Sequence, residues 1–85
     1  MYALHWMPKA IRQLEKVRDT NLRREIRDAV EILKHFPKCQ NIKSLINHDY
    51  AYRLRKGRWR IFFEVDSAAK NIYVTEVKKR DEHTY

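Results

Sequence analysis

One cysteine, one glycine and two prolines among 85 residues remove several possibilities at once. With Cys39 alone, neither an internal disulfide nor a multi-cysteine metal site can form, and a lone thiol fits a reducing compartment. Stability has to come from packing. The scarcity of glycine, proline and serine-rich stretches leaves no linker, and 85 residues suffice for one core, so residues 1–85 read as a single domain. No apolar run is longer than the four residues Met1-Tyr2-Ala3-Leu4, which excludes a membrane-spanning helix. Met1 leads into Tyr2-Ala3-Leu4-His5 without the apolar core of a signal peptide. The expectation is a cytoplasmic chain without a membrane partner. His5, His35 and His48 have no histidine or carboxylate at ligand spacing, so they read as surface or packing residues, and neither a metal nor a cofactor is expected.

What the chain does have is positive charge. Nineteen Lys and Arg oppose eleven Asp and Glu, a net +8, while 44% of residues are hydrophobic and 12% aromatic. That is too apolar for a disordered basic tail and describes a folded basic module. The charge is focused: Arg53, Arg55, Lys56, Arg58 and Arg60 follow one another with no acid among them, and Lys78-Lys79-Arg80 forms a second group. Two basic clusters flanking an apolar stretch point to a polyanionic partner rather than a small neutral substrate.

Residues 2–6 read as a short strand stopped by Pro8, which suits the first turn of a helix. From Lys9 to Val17, Ala10, Ile11, Leu14 and Val17 recur at helical spacing. After Asp19-Thr20-Asn21, residues with capping side chains, Leu22, Ile26, Ala29, Val30, Leu33 and Phe36 repeat the pattern up to Pro37. Asp28 lies four after Arg24 and Glu31 four after Arg27, a spacing that predicts ordinary surface ion pairs. Residues 37–49 read as a loop. Tyr50 to Arg55 and Arg58 to Val65 alternate with period two around Gly57, a hairpin, and 72–77 form a last strand whose two faces are too alike to assign. The expected fold is α+β, in the order β-α-α-β-β-β, with two helices packed on one face of a small, twisted, mostly antiparallel sheet.

If Trp59, Ile61, Phe63 and Val65 face the helices, alternation sends Arg58, Arg60, Phe62 and Glu64 to the opposite face, where Arg53 and Arg55 can join them. Arginine forks beside a phenylalanine ring suit RNA, phosphates on the guanidinium groups and an unpaired base on the ring. The plain alternative is a solvated hairpin whose arginines keep a sheet edge soluble. Trp6 and Trp59 read as core anchors. Cys39, beside Lys38 and open to a mildly lowered pKa, reads as a free thiol.

Tyr52-Arg53-Leu54-Arg55, a short turn, Arg58-Trp59-Arg60-Ile61-Phe62-Phe63-Glu64-Val65-Asp66, then Asn71-Ile72-Tyr73-Val74 and a basic run before Tyr85 resemble, in this order, the RelE/ParE superfamily of type II toxin–antitoxin toxins. The specific part is residues 50–85; the helical half is generic. His83 and Tyr85 make the chain look more like the RelE branch of ribosome-dependent messenger-RNA endonucleases than the gyrase-inhibiting ParE branch.

The resemblance implies a metal-independent endoribonuclease that acts on messenger RNA in the 70S decoding site and is neutralised by a cognate antitoxin protein. It implies catalytic roles for Arg60, for Arg80 or, one register away, Lys79, for Tyr85 and for His83. It implies RNA contacts by Arg53, Arg55, Lys56, Arg58, Phe62, Lys78 and Lys79. Ala51 stands where the best-known branch carries a lysine, which leaves the general base open. The alternatives are a gyrase inhibitor without nuclease activity and a non-toxic RNA-binding member of the fold. Without the resemblance, a terminal tyrosine is more often a packed or frayed end than a catalyst.

Overall fold

The computed structural model describes residues 1–80. Pro8 opens α1 (Pro8–Glu15) at its first position, where its fixed φ is already helical and its missing N–H costs no hydrogen bond. Asp19 caps α2 (Thr20–Glu31), its carboxylate accepting from the backbone N–H groups of Asn21 and Leu22. A 3-10 turn, Ile32–His35, extends α2 and ends before Pro37. The expected pairing of Glu31 with Arg27 does not form: Glu31 bridges to Lys34, which the tighter 3-10 turn brings round instead.

Five strands make one sheet: β1 (Ala3–Trp6), β2 (Ile42–Ser44), β3 (Tyr52–Lys56), β4 (Trp59–Asp66) and β5 (Asn71–Lys79). Their spatial order is β1-β5-β4-β3-β2. β1 is parallel to β5 and every other pairing is antiparallel. Gly57 turns the β3–β4 hairpin at φ +57°, a left-handed conformation that costs a residue without Cβ little.

The helices cover one face. Ala10, Leu14 and Val17 from the first helical segment and Ile26, Val30 and Leu33 from the second meet Leu54, Ile61, Phe63, Ile72, Val74 and Val77 of the sheet. Trp6 and Trp59 pack at the margin of this core, as expected. No helix among the described residues is long and apolar enough to cross a membrane.

Three expectations need correction. The loop expected over 37–49 contains β2, paired to β3 as Ile42 to Leu54 and Ser44 to Tyr52; one apolar residue in three is too little pattern to announce a strand. Tyr50 lies outside β3 and leaves the alternation expected of it, its ring packing on Phe62 at the face opposite the helices. The last strand looked two-faced because it is bulged: Phe62 pairs with Glu76 but Phe63 with Val74, so Thr75 is an extra residue. The inward set becomes Ile72, Val74 and Val77, which breaks period two.

Candidate functional site

The face away from the helices is a grid of cross-strand neighbours. One row runs Lys43, Arg53, Phe62, Glu76 across β2 to β5; the next runs Arg55, Arg60, Lys78 across β3 to β5. Directly opposed side chains stand about 5 Å apart, and like charges so placed repel. The chain therefore holds Arg55, Arg60 and Lys78 side by side. The Arg53 Nε is buried with no hydrogen-bond partner among the described residues, an arrangement worth about 1–3 kcal/mol against folding.

Glu64 and Glu76, on this face among the described residues, are already engaged. Glu64 accepts the backbone N–H of Ala51 at 3.1 Å and so pins the loop that precedes β3. Glu76 receives Lys9 at 3.5 Å and the Gln13 amide at 3.5 Å, both from α1, together with the Tyr50 hydroxyl. Burial would raise the Glu76 carboxyl, but the Tyr50 hydrogen bond, the Lys9 charge and Gln13 more than offset it and hold the pKa below the ordinary value. In return, the bond to Glu76 raises Tyr50, which keeps it a phenol. The same carboxylate raises the Lys9 ammonium. Gln13 does further duty where β1 has ended: its Oε1 accepts the otherwise uncovered Val77 N–H at 2.6 Å.

Arg53, Arg55 and Arg60 thus lie together, as the alternation predicts, and β5, whose faces the sequence leaves unassigned, adds Lys78. Arg80 donates its N–H to the Arg58 carbonyl, which extends the ladder one residue and places Arg80 by alternation on the Lys78 face. Lys79 pairs with Trp59 and belongs to the other side. Arg60 is only 6% exposed, with Nη1 donating to the Gly57 and Trp59 carbonyls at 2.9 and 3.0 Å; it contributes a fixed, largely desolvated charge between Arg55 and Lys78.

Lys56, Arg58 and Lys79, with Leu22, Glu25, Gly57 and Trp59, line a separate open groove of about 370 Å³ between α2 and the hairpin tip. Phe62 requires a correction. It is 7% exposed, covered by His48 and Tyr50 with ring centroids 5.2 and 5.3 Å away, so it offers no open surface to a base. Its burial follows from the loop folding back over β4, which alternation alone does not reveal. Cys39 also departs from expectation: partial burial pushes its thiol pKa up. Tyr85 and His83 lie outside the described residues.

Sequence reasoning missed Lys43, because β2 was missed, and it missed the group formed by Lys9, Gln13, His48, Tyr50 and Glu76. The available signal was weak: Tyr50 and His48 both stand just before a strand whose next residues are basic.

The described residues thus form a sheet with helices on one face and a row of cations on the other. Solved structures of the same fold come from several toxin systems. The chain aligns with the archaeal RelE–RelB complex from Pyrococcus horikoshii at TM-score 0.79 and 20% identity, covering 95% of this chain and 97% of the other. With the isolated Escherichia coli RelE toxin the TM-score is 0.78 at 15% identity, covering 96% and 87%. With the YoeB/ParE toxin from Agrobacterium tumefaciens it is 0.73 at 18% identity, covering 95% and 100%. No curated protein sequence matches the chain. The model of the ParE toxin family of type II toxin–antitoxin systems matches residues 4–84. The protein belongs to that family and is a toxin of the RelE/ParE superfamily.

Proposed function

We propose that this toxin is a ribosome-dependent endoribonuclease that cleaves messenger RNA without a metal ion. The observation that carries the reading is the row of Arg55, Arg60 and Lys78, flanked by Arg53 and continued by Arg80, on the face away from the helices. Cleavage by the neighbouring 2′-hydroxyl forms a bond from O2′ to phosphorus and breaks the bond to O5′. The products are a 2′,3′-cyclic phosphate and a free 5′-hydroxyl. Negative charge accumulates on the phosphorane oxygens, and fixed cations that need no reorganisation stabilise it. Arg60 and Arg80 serve there, because guanidinium does not titrate near neutrality. Arg53, Arg55 and Lys78 hold flanking phosphates, and Lys56, Arg58 and Lys79 extend the positive field round the hairpin tip.

Proton transfer falls to His83 and Tyr85. Tyr50, held as a phenol by Glu76, is no base. With so small an acid–base set, the reaction depends on an external scaffold to align the 2′-hydroxyl, which is the reason for the ribosome. The cognate antitoxin is an acidic or amphipathic segment that covers the cationic face; the Pyrococcus structure is itself a complex with RelB. The test is primer extension on messenger RNA from translating ribosomes after adding purified toxin, where codon-phased cuts with cyclic-phosphate ends are expected. Tyr85→Phe and His83→Gln then report which of the two moves a proton. Intact messages beside inhibited DNA supercoiling would establish instead the gyrase-directed activity, which the ParE family match favours. Harmless overexpression would leave a non-toxic RNA-binding member.

A further inference from the structure

We infer that His48 is the platform on which this protein stacks an unpaired RNA base, the buried Phe62 ring serving as its backing. The inference rests on the messenger-RNA reading above and assigns a subsite within it.

The His48 ring lies nearly parallel to Phe62, 16° between planes and 5.2 Å between centroids, the offset geometry aromatic pairs prefer. One face of the imidazole is thereby occupied, while the residue as a whole remains exposed. Nδ1 accepts the Tyr50 backbone N–H at 3.1 Å. That contact fixes the tautomer, leaving the ring proton on Nε2, at the far side of the ring from the loop. Asn47, at φ 54°, makes the turn that carries His48 back over the sheet, a conformation asparagine tolerates better than most residues.

The support beneath is fixed from several directions. Tyr50 stands 5.3 Å from Phe62 and bonds Glu76, Glu76 is held by Lys9 and Gln13, and Ala51 N–H is held by Glu64. An exposed imidazole would ordinarily sample several rotamers. This one is clamped at its edge and its lower face, so little further freedom is lost when a base settles on the upper one.

The cations choose the partner. Arg53 is the cross-strand neighbour of Phe62, Lys43 is the next one outward, and Arg60 lies two residues along β4, about 7 Å away. A ring to stack on, with fixed positive charges one phosphate step to either side, fits a single-stranded ribonucleotide, its base on His48 and its phosphates on the arginines. The Nε2–H is in position to donate to an acceptor on a neighbouring base or phosphate, which makes His48 a determinant of which nucleotide sits at the cut.

The probe is a short single-stranded RNA carrying 2-aminopurine, whose fluorescence falls on stacking, titrated into purified toxin. Wild type should quench it. His48→Ala should abolish quenching and weaken binding at least about fivefold, while the protein stays folded and its melting temperature falls only by the roughly 2–12 °C that loss of the Phe62 contact implies. His48→Tyr, which restores a ring, should quench again. His48→Gln, which keeps an amide donor but no ring, should not. On ribosomes, His48→Ala should redistribute cut positions among codons. Quenching retained in His48→Ala, or absent in wild type, overturns the inference. So does a loss confined to antitoxin binding, which would give this surface to the protein partner. Wild-type quenching without codon-phased cuts would leave the stacking subsite standing and refute the nuclease reading.

Discussion

Replacing Gln13 by alanine tests whether α1 serves as the missing neighbour of β5. β1 pairs with β5 only as far as Trp6 with Val74. Val77 is 3% exposed, and its N–H is satisfied by the Gln13 side-chain Oε1 at 2.6 Å. Removing the acceptor leaves a buried donor without a partner, worth about 1–3 kcal/mol. Helix propensity works the other way, since alanine is the better helix former by a few tenths of a kcal/mol, so any net loss comes from the edge contact. A central expectation of about 2 kcal/mol corresponds to a melting-temperature drop of roughly 8–16 °C for a domain of this size. Chemical denaturation monitored by tryptophan fluorescence measures it, with Arg12→Ala, an exposed neighbour on α1, as the reference expected to stay within about 0.5 kcal/mol. Gln13→Glu keeps an acceptor for Val77 but sets a carboxylate against Glu76, so its defect should be larger at neutral pH than near pH 4. If Gln13→Ala matches wild type within about 0.5 kcal/mol, water reaches the Val77 N–H and α1 is not sealing the sheet edge.

Glu76→Gln should cost stability at neutral pH. Because the folded carboxyl titrates below its ordinary value of 4.5, the difference from wild type should be full above that value and shrink as pH falls through the lowered one; a difference that grows on acidification would contradict the Lys9–Glu76–Tyr50 arrangement. Arg60→Ala should lower the rate of cleavage on ribosomes by about 10²-fold or more while changing ribosome affinity far less; equal losses in both, in a protein shown to be folded, would reduce Arg60 to a binding contact. Arg55→Ala should weaken single-stranded RNA binding uniformly across sequences and lessen the salt slope by about 0.7, as read from titrations at several salt concentrations; an unchanged slope would remove Arg55 from the phosphate path.

The helices, the hairpin and the sidedness of Arg53, Arg55 and Arg60 were legible because each follows from a period, 3.6 or 2, that residue type alone displays. The failures share one cause. β2 offers a single apolar residue, the Thr75 bulge shifts the inward set of β5 by one, and the loop carrying His48 and Tyr50 closes over Phe62 through contacts made far away in sequence. Alternation correctly sent Phe62 to the face opposite the helices. It could not say whether solvent or another part of the chain waited there.

The parallel pairing of β1 with β5 bears on when the toxin becomes dangerous. Ala3 meets Asn71, 71 − 3 = 68 residues later, so β1 stays without this hydrogen-bonding neighbour until β5 has been made. Contacts of such long range slow folding, and here they also order it. Lys78 and Arg80 join Arg55 and Arg60 only as β5 docks, and β5 is the strand on which both β1 and α1 come to rest. The cationic face and the sheet are therefore completed by the same event, and a nascent chain short of β5 is a basic polypeptide whose Arg55 and Arg60 lack Lys78 beside them.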